Sequence, residues 1–125
     1  MKVACSTQGA ALDAQIDPRL GRAAYFLMID TDSQAVEVLD NSSGAASGGA
    51  GIQAAQTLAS KGVQAVITGN CGPNAFATFQ AANIAVYTGA SGTARDALAQ
   101  YQQGTLTAAG QPNVGGHFGD TRRAG

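Results

Sequence analysis

A cysteine stands inside the stretch TGNCGPNAF, residues 68–76. The residues before it, 63–67, have the apolar composition of a buried strand, and Pro73 suits the first position of a helix, where its missing N–H costs nothing. The beginning of a helix favours the thiolate, which attacks electrophiles and binds soft metals. Three roles are therefore open for Cys71: a metal or cluster ligand, a catalytic nucleophile, or a small residue in a tight turn.

The rest of the sequence offers Cys71 few catalytic partners. Cys5 lies inside the first predicted strand and is assigned to the core, and the single histidine, His117, stands in a Gly-rich tail. Neither CxxC nor a His/Cys cluster of the zinc type occurs in the sequence. We therefore rank contact with a metal or cluster ahead of nucleophilic catalysis, and keep His117 as a further candidate ligand if the tail folds back.

Three glycine-rich junctions precede predicted helices, at residues 49–51, 69–72 and 89–93. Such loops expose backbone N–H groups at the positive end of a helix dipole, an arrangement that suits anions, and Arg22 could add a guanidinium. Each junction alone could merely close a turn, but together they predict an anion pocket. The first junction also fits the dinucleotide pattern GxGxxA, but the long loop before it and the missing acidic residue argue against that site.

Hydrophobic periodicity predicts the elements that position these junctions. A capping box at Thr93 and Asp96 marks one helix start, and Gly62, Asn83 and Gly104 mark helix ends. The predicted strands lie at residues 2–5, 25–29, 35–39, 63–67 and 84–87, and the predicted helices at 52–61, 73–82 and 94–103.

This order of elements predicts an α/β fold with a five-stranded mixed sheet, one strand antiparallel and helices on both faces. The loops that follow the four co-directional strands then meet at one end of the sheet, where open α/β sheets bind ligands. Asp30, Asp32 and Glu37 fall near the opposite end, which argues against a two-metal nuclease. We interpret Asp13 and Asp17, in the first loop, as solvated caps.

Composition restricts the class of protein. The 125 residues are 45% hydrophobic and carry a net charge of −1, so a packed domain is expected and nucleic acid is not the expected partner. No apolar run approaches the ~20 residues of a membrane span, and two cysteines are too few for a secreted disulfide framework. We predict a cytoplasmic protein with one domain at residues 1–107 and a flexible Gly-rich tail at 108–125.

Several motifs together resemble one known family. Residues 17–26, DPRLGRAAYF, are similar to its motif D-x-R-F-G-R-A-x-x-F, with Leu20 in place of phenylalanine. GIQAA at 51–55, TGNCGPNAF at 68–76 and GASGT at 89–93 match it in type and order, and GGH at 115–117 is similar to its ending. The family is the dinitrogenase iron–molybdenum cofactor biosynthesis group, which includes NifX and the C-terminal domain of NifB. The resemblance covers roughly residues 1–118.

The resemblance implies a ribonuclease-H-like, three-layer α/β/α sandwich without nuclease residues. It also implies binding, carrying or assembling a metal–sulfur cluster rather than catalysis. The short chain is most similar to the orange-protein branch, which implies a molybdenum–copper sulfide cluster, with an iron–molybdenum cofactor precursor as the alternative cargo. A protein partner in cluster delivery and a monomer or weak homodimer are expected.

We predict that the cluster is held noncovalently by one set of residues at the carboxyl ends of the strands. The competing hypothesis is an enzyme that acts on a small phosphate-like anion with Cys71 as nucleophile. Direct metal contact is assigned to Cys71 or His117. The predicted cluster-binding residues are Arg22, Ser47, Gly49, Gly51, Asn70, Cys71, Gly72, Pro73, Asn74, Gly89, Ala90 and Gly92.

Overall fold

A computed structural model describes residues 1–41 and 50–110 of the chain. The predicted strands and helices are all present, with bounds that shift by a few residues. The strands are β1 (Lys2–Thr7), β2 (Tyr25–Asp30), β3 (Val36–Asp40), β4 (Ala65–Ile67) and β5 (Ala85–Tyr87). The helices are α1 (Ala50–Ser60), α2 (Pro73–Ala81) and α3 (Ala94–Gln102).

The strands form one sheet in the order β3-β2-β1-β4-β5. β2 is antiparallel to both of its neighbours, whereas β1 is parallel to β4 and β4 is parallel to β5. The predicted α/β fold with a five-stranded mixed sheet and a single antiparallel strand is therefore confirmed. β1, β3, β4 and β5 all end on the same side, which we call the carboxyl end of the sheet. The opposite side, where β2 turns into β3, is the hairpin end.

Two apolar clusters form the core, one on each face of the sheet. Successive strand residues point to opposite faces, so Ala4 of β1 enters one cluster while Val3 and Cys5 enter the other. α1 and α2 contribute to the first cluster and α3 to the second. Phe76 and Phe79 are both buried, as predicted from their spacing on α2. Cys5 is fully buried, which confirms its assignment to the core.

The start of α3 and the end of α2 are set by short-range features that can be read from the sequence. The Thr93 hydroxyl accepts a hydrogen bond from the Asp96 N–H, and the Asp96 carboxylate accepts one from the Thr93 N–H, so the predicted capping box is present. Asn83 follows α2 with a φ of 60°, a left-handed conformation that Asn tolerates and a helix cannot continue. Both signals are short-range, which is why periodicity and cap residues locate these ends.

The chain after α3 returns to the sheet. Ala108 forms an antiparallel bridge with Tyr87, and the Ala109 N–H donates to the Val86 carbonyl over 2.7 Å. These two residues were predicted to belong to the flexible tail, but they cover the outer side of β5. Residues 111–125, which hold the rest of the predicted tail, lie outside the described residues.

Candidate functional site

The loop between β1 and β2 runs across the carboxyl end of the sheet. Isolated bridges join Thr7 to Ile16, Gln15 to Thr93, and Arg19 to Asn70. One loop therefore contacts the residues that follow β4 and those that precede α3. We call its second part, residues 16–24, the motif loop, because it contains the D-x-R-x-G-R sequence. The predicted convergence of the first loop with the Cys71 turn is confirmed.

A small polar network anchors the motif loop to the sheet. The Asp17 N–H donates to the Ser6 carbonyl over 2.8 Å, and the Ser6 hydroxyl donates to the Asp17 carbonyl over the same distance. The Ser6 hydroxyl also lies 2.8 Å from the Thr68 hydroxyl, which links β1 to the end of β4. All three side chains are buried. Buried polar groups are stable only when paired, so this network fixes the position of the loop.

Gly69 explains how closely the motif loop approaches the β4 end. A Cβ built on Gly69 would lie 2.7 Å from the Pro18 Cα and 3.0 Å from the Pro18 Cβ. Side chains essentially never approach backbone atoms so closely, so only glycine permits this packing. Gly69 belongs to one of the predicted anion-binding junctions, but its contact with Pro18 is one of packing.

Asp17 differs from the solvated cap that we expected. Only 4% of the residue is exposed, and its Oδ1 accepts a hydrogen bond from the Arg19 N–H over 3.0 Å. The same Oδ1 lies 3.5 Å from the Arg19 Nε, so the two side chains form an ion pair. The Arg19 side chain itself is 66% exposed. Arg22, the arginine predicted for the site, is also exposed on the motif loop.

Cys71 is not the thiolate that its place before a helix suggests. The residue is fully buried in the same apolar cluster as Leu20 and Ala23 of the motif loop. Burial raises the pKa of the Cys71 thiol to about 11, because the charged form loses its hydration. The thiol donates a long hydrogen bond, 3.7 Å, to the Gly72 carbonyl. This shift is opposite to the activation of the thiol that its place before a helix favours.

The N-terminal ends of α1 and α2 meet beside this turn. Gly51, in the first turn of α1, packs on Ala75, in the first turn of α2, where an added Cβ would lie 3.3 Å from the Ala75 Cβ. No side chain caps α2, neither helix has an acidic residue in its first turn, and Pro73 begins α2. Two positive dipole ends therefore lie close together. Asn70 and Gly72 are half-buried there, and Pro73 and Asn74 are exposed.

The third predicted junction is already satisfied within the protein. The Asp96 carboxylate lies at the N-terminus of α3, where an anion would bind, and accepts from the Thr93 N–H. The Gly89 N–H donates to the Gly69 carbonyl over 2.8 Å, and the Ala90 N–H donates to the Thr68 carbonyl over 3.1 Å. Gly92 adjoins the cap with a φ of 83°. The N–H groups of Gly89 and Ala90, which were predicted to bind a ligand, are therefore bonded to a neighbouring loop.

Three predicted site residues, Ser47, Gly49 and His117, lie outside the described residues. Within residues 1–41 and 50–110, no group of three or more His, Cys, Asp or Glu side chains is arranged to hold a metal ion. Over the same part of the chain, no helix has the length and apolar character needed to cross a membrane.

Comparison with known proteins identifies the family of this chain. The family model for the dinitrogenase iron-molybdenum cofactor matches residues 1–104. The chain belongs to this family. Its fold is similar to the apo form of the orange protein from Desulfovibrio gigas, with 39% identity, a TM-score of 0.88, and coverage of 90% of this chain and 96% of that one.

Two further relatives extend the comparison. A Thermotoga protein described as related to NifB has 38% identity and a TM-score of 0.76, with 86% of this chain and 91% of that chain covered. An uncharacterised protein of Methanocaldococcus jannaschii is 25% identical over 95 residues, which are 74% of this chain and 80% of the relative. Both of these similarities extend over most of this chain.

Sequence reasoning missed two features of this end of the sheet. The first is the buried network of Ser6, Asp17 and Thr68, whose members are far apart in the sequence. The second is the ion pair of Arg19 with Asp17, a buried residue that was expected to be a solvated cap. A usable signal existed for Arg19, because an aspartate two residues before an arginine in a turn can bind both its N–H and its side chain.

Proposed function

We propose that this protein binds or carries an anionic, molybdenum-containing metal–sulfur cluster at the carboxyl end of the sheet. The observation that carries the proposal is the meeting of the α1 and α2 N-termini, at Gly51 and Ala75, beside a loop that presents Arg19 and Arg22. Backbone N–H groups, two helix dipoles and guanidinium groups all favour negative charge. Family membership supports the same class of cargo.

The donors at this end fit a cluster rather than a bare metal ion. N–H and guanidinium groups donate hydrogen bonds to an anion, and they do not coordinate metals themselves. The ligands of the metals are then the sulfides of the cluster, and the protein holds its outer surface. Cys71 lies beneath the motif loop as a neutral thiol, so direct ligation would require that loop to move. Noncovalent holding is therefore the mode that we propose.

Several finer features belong to the same proposal. The cluster is of the molybdenum–copper sulfide type, an iron–molybdenum cofactor precursor is the alternative, and a further protein receives or supplies it. The similarity to the orange protein supports only the binding of some ligand, since its structure is described as an apo form. We assign the fold to the ribonuclease-H-like α/β/α class, and the protein to the cytoplasm as a monomer or weak homodimer. Under this proposal the protein carries the cluster and does not catalyse a reaction.

The predicted residues fall into two groups under this proposal. Gly51, Asn70, Gly72, Pro73 and Asn74 would surround the cargo together with the arginines. Gly89, Ala90 and Gly92 would instead support the wall of the site, because their loop is bonded to Gly69, Thr68 and Ile16. Ser47 and Gly49, which precede α1 in the sequence, would add N–H donors.

A charge substitution at the α2 N-terminus tests the proposal. Anaerobically purified protein would be examined for colour and metal content, and metal-free protein titrated with tetrathiomolybdate and Cu(I), followed by visible absorption. We expect near-stoichiometric uptake by the unaltered chain. In Asn74→Asp the new carboxylate should stabilise the helix N-terminus, by about 0.5 kcal/mol, yet repel the cluster. We expect at least about a tenfold weaker uptake from such a difference in charge.

The matched control is Gln64→Glu, which makes the same charge change at an exposed residue of the hairpin end. Its uptake should equal that of the unaltered chain. Equal loss in both variants would mean that net charge, rather than the proposed site, governs binding. No uptake by the unaltered chain, either as purified or after titration, would overturn the proposed function.

A further inference from the structure

The cationic side chains of the described residues are distributed unevenly. The Lys2 ammonium donates to the Lys61 carbonyl, and the Lys61 ammonium lies 3.6 Å from Glu37, so both lysines are occupied away from the carboxyl end. Arg95, on α3, lies 3.1 Å from the exposed Asp13 carboxylate. Arg19 and Arg22 are therefore the described cations on the motif loop, and the Arg19 backbone bridges to Asn70 just before α2.

The ion pair of Arg19 has an unusual partner. Asp17 is buried, and its backbone is bonded on both its N–H and its carbonyl to Ser6 of β1. The carboxylate therefore has a fixed position, unlike the carboxylate of an exposed pair, which moves with its side chain. Its Oδ1 contacts both the N–H and the Nε of Arg19. The Asp17 Oδ1 therefore holds both the loop backbone at Arg19 and the Nε of its guanidinium.

The remaining donors of Arg19 are available to a ligand. Asp17 engages only Nε, and the two Nη groups have no partner among the residues that the structure describes. The pair of Nη groups forms a planar fork that matches the spacing of two acceptor atoms on one anion. The Arg19 backbone bridges to Asn70, close before α2, so this fork begins beside the helix N-terminus.

We propose that Arg19 is an anion-binding residue of the site and that Asp17 is its positioning residue. This inference rests on the proposed function and adds to it a specific contact that the sequence did not assign. Asp17 would act by orienting the guanidinium rather than by touching the cargo. Its negative charge is unfavourable for a nearby anion, so its presence is useful to binding only through the orientation it imposes.

That opposition of charge and orientation gives a decisive test. In Asp17→Asn the amide oxygen can still accept from the Arg19 N–H, but the site gains one unit of positive charge. A purely electrostatic role predicts tighter binding of tetrathiomolybdate, whereas a positioning role predicts weaker binding. We expect a loss of about threefold to tenfold in affinity, the scale of one charge-assisted hydrogen bond. Thermal melting of the variant would verify that it remains folded.

Variants of Arg19 test the contact itself. Arg19→Gln should weaken tetrathiomolybdate binding by about tenfold, and Arg19→Lys, which keeps the charge but lacks the fork, should give an intermediate loss. The matched control is Arg95→Gln, which removes a similarly exposed arginine from an aspartate pair elsewhere and should leave the affinity unchanged.

The outcomes separate this inference from the proposed function. If the unaltered chain binds and Arg19→Gln binds equally well, the assignment of Arg19 is overturned while cluster binding stands. If Arg19→Gln binds weakly but Asp17→Asn binds more tightly, the positioning role of Asp17 is overturned. If the unaltered chain binds no tetrathiomolybdate with or without Cu(I), both proposals fail. If Asp17→Asn does not fold, comparison of Arg19→Lys with Arg19→Gln decides whether an oriented fork is needed.

Discussion

The two ends of the sheet use the same kinds of side chain in opposite ways. At the carboxyl end, Ser6, Thr7, Asp17 and Thr68 are buried and bonded, and they are all the buried polar side chains among the described residues. At the hairpin end, polar contacts lie at the surface, as in the ion pair of the N-terminal ammonium with Asp32 at 3.2 Å. The contrast teaches that polar groups at the carboxyl end set the positions of loops, whereas those at the hairpin end are solvated.

The contrast has an energetic basis. A buried hydroxyl or carbonyl that loses its partner keeps the full cost of desolvation, whereas water replaces the partner of an exposed group. Substitutions of equal chemistry should therefore differ in effect between the two ends.

Replacing Gly69 with alanine should lower the free energy of unfolding by about 3 kcal/mol, near the upper end of the range for overpacking. The new Cβ would lie 2.7 Å from the Pro18 Cα, so the motif loop would have to move away from β4. Chemical denaturation measures the loss. Gly110→Ala is the control, because a Cβ there meets no atom within 4 Å. Equal stability of the two variants would show that the motif loop is not held against Gly69.

Ser6→Ala should cost about 2 kcal/mol of unfolding free energy, since the Asp17 carbonyl loses its buried donor. The comparison is Thr31→Ala at the hairpin end, whose hydroxyl donates to the Met1 carbonyl in an exposed contact. That variant should change stability by less than about 0.5 kcal/mol. Urea denaturation of both variants measures the difference, and similar losses would remove the contrast between the two ends.

Stability should fall at high pH because both cysteines are buried. Burial raises the pKa of Cys71 from 9.0 to about 11 and that of Cys5 to about 12. Between about pH 9 and pH 12 the unfolded chain loses these protons and the folded chain retains them, so the free energy of unfolding decreases as pH rises. Below pH 9 this contribution is constant. Denaturation midpoints across this range measure the decline, and Cys71→Ala should make it shallower.

Native-state alkylation gives an independent check on Cys71. With iodoacetamide at neutral pH, the Cys71 thiol should react about as slowly as that of Cys5, since both are buried and protonated. Mass spectrometry of the modified peptides distinguishes the two sites, with urea-unfolded protein as the control for full reactivity. Rapid, selective modification of Cys71 in the folded protein would restore the enzyme hypothesis.

The smallest effect is expected for Lys61→Gln, which breaks the exposed ion pair with Glu37. The loss should be less than about 0.5 kcal/mol and should vanish at high salt. Denaturation at two salt concentrations measures it. A loss as large as that of Ser6→Ala would mean that surface pairs stabilise this fold as much as the buried network does.

Much of the fold could be predicted because its signals are local. The alternation in residues 35–39, the stripe on α1 and the capping box at Thr93 each depend on a few neighbouring residues. The antiparallel orientation of β2 followed from the connections between elements. The end of β1 was placed too early, at Cys5, because Ser6 and Thr7 are polar yet buried.

The site was harder to predict because its contacts are distant in sequence. Whether Asp17 is solvated or buried depends on Ser6 and on the passage of the loop across the sheet. The burial of the Cys71 thiol depends in the same way on distant residues, since Leu20 and Ala23 of the motif loop belong to the same apolar cluster. The capping role of Asp96 was predicted correctly. Its consequence was not recognised: the carboxylate places a negative charge at the helix N-terminus where an anion was expected to bind.

We propose that an anionic metal–sulfur cluster binds at the carboxyl end of the sheet. Amide NMR spectra of the metal-free protein, recorded during addition of tetrathiomolybdate and Cu(I), test it most directly. We predict shifts confined to the N–H signals of the motif loop and of the first turns of α1 and α2, including Arg19 and Asn74. Shifts concentrated at the hairpin end, or spread evenly over both ends, would contradict the account.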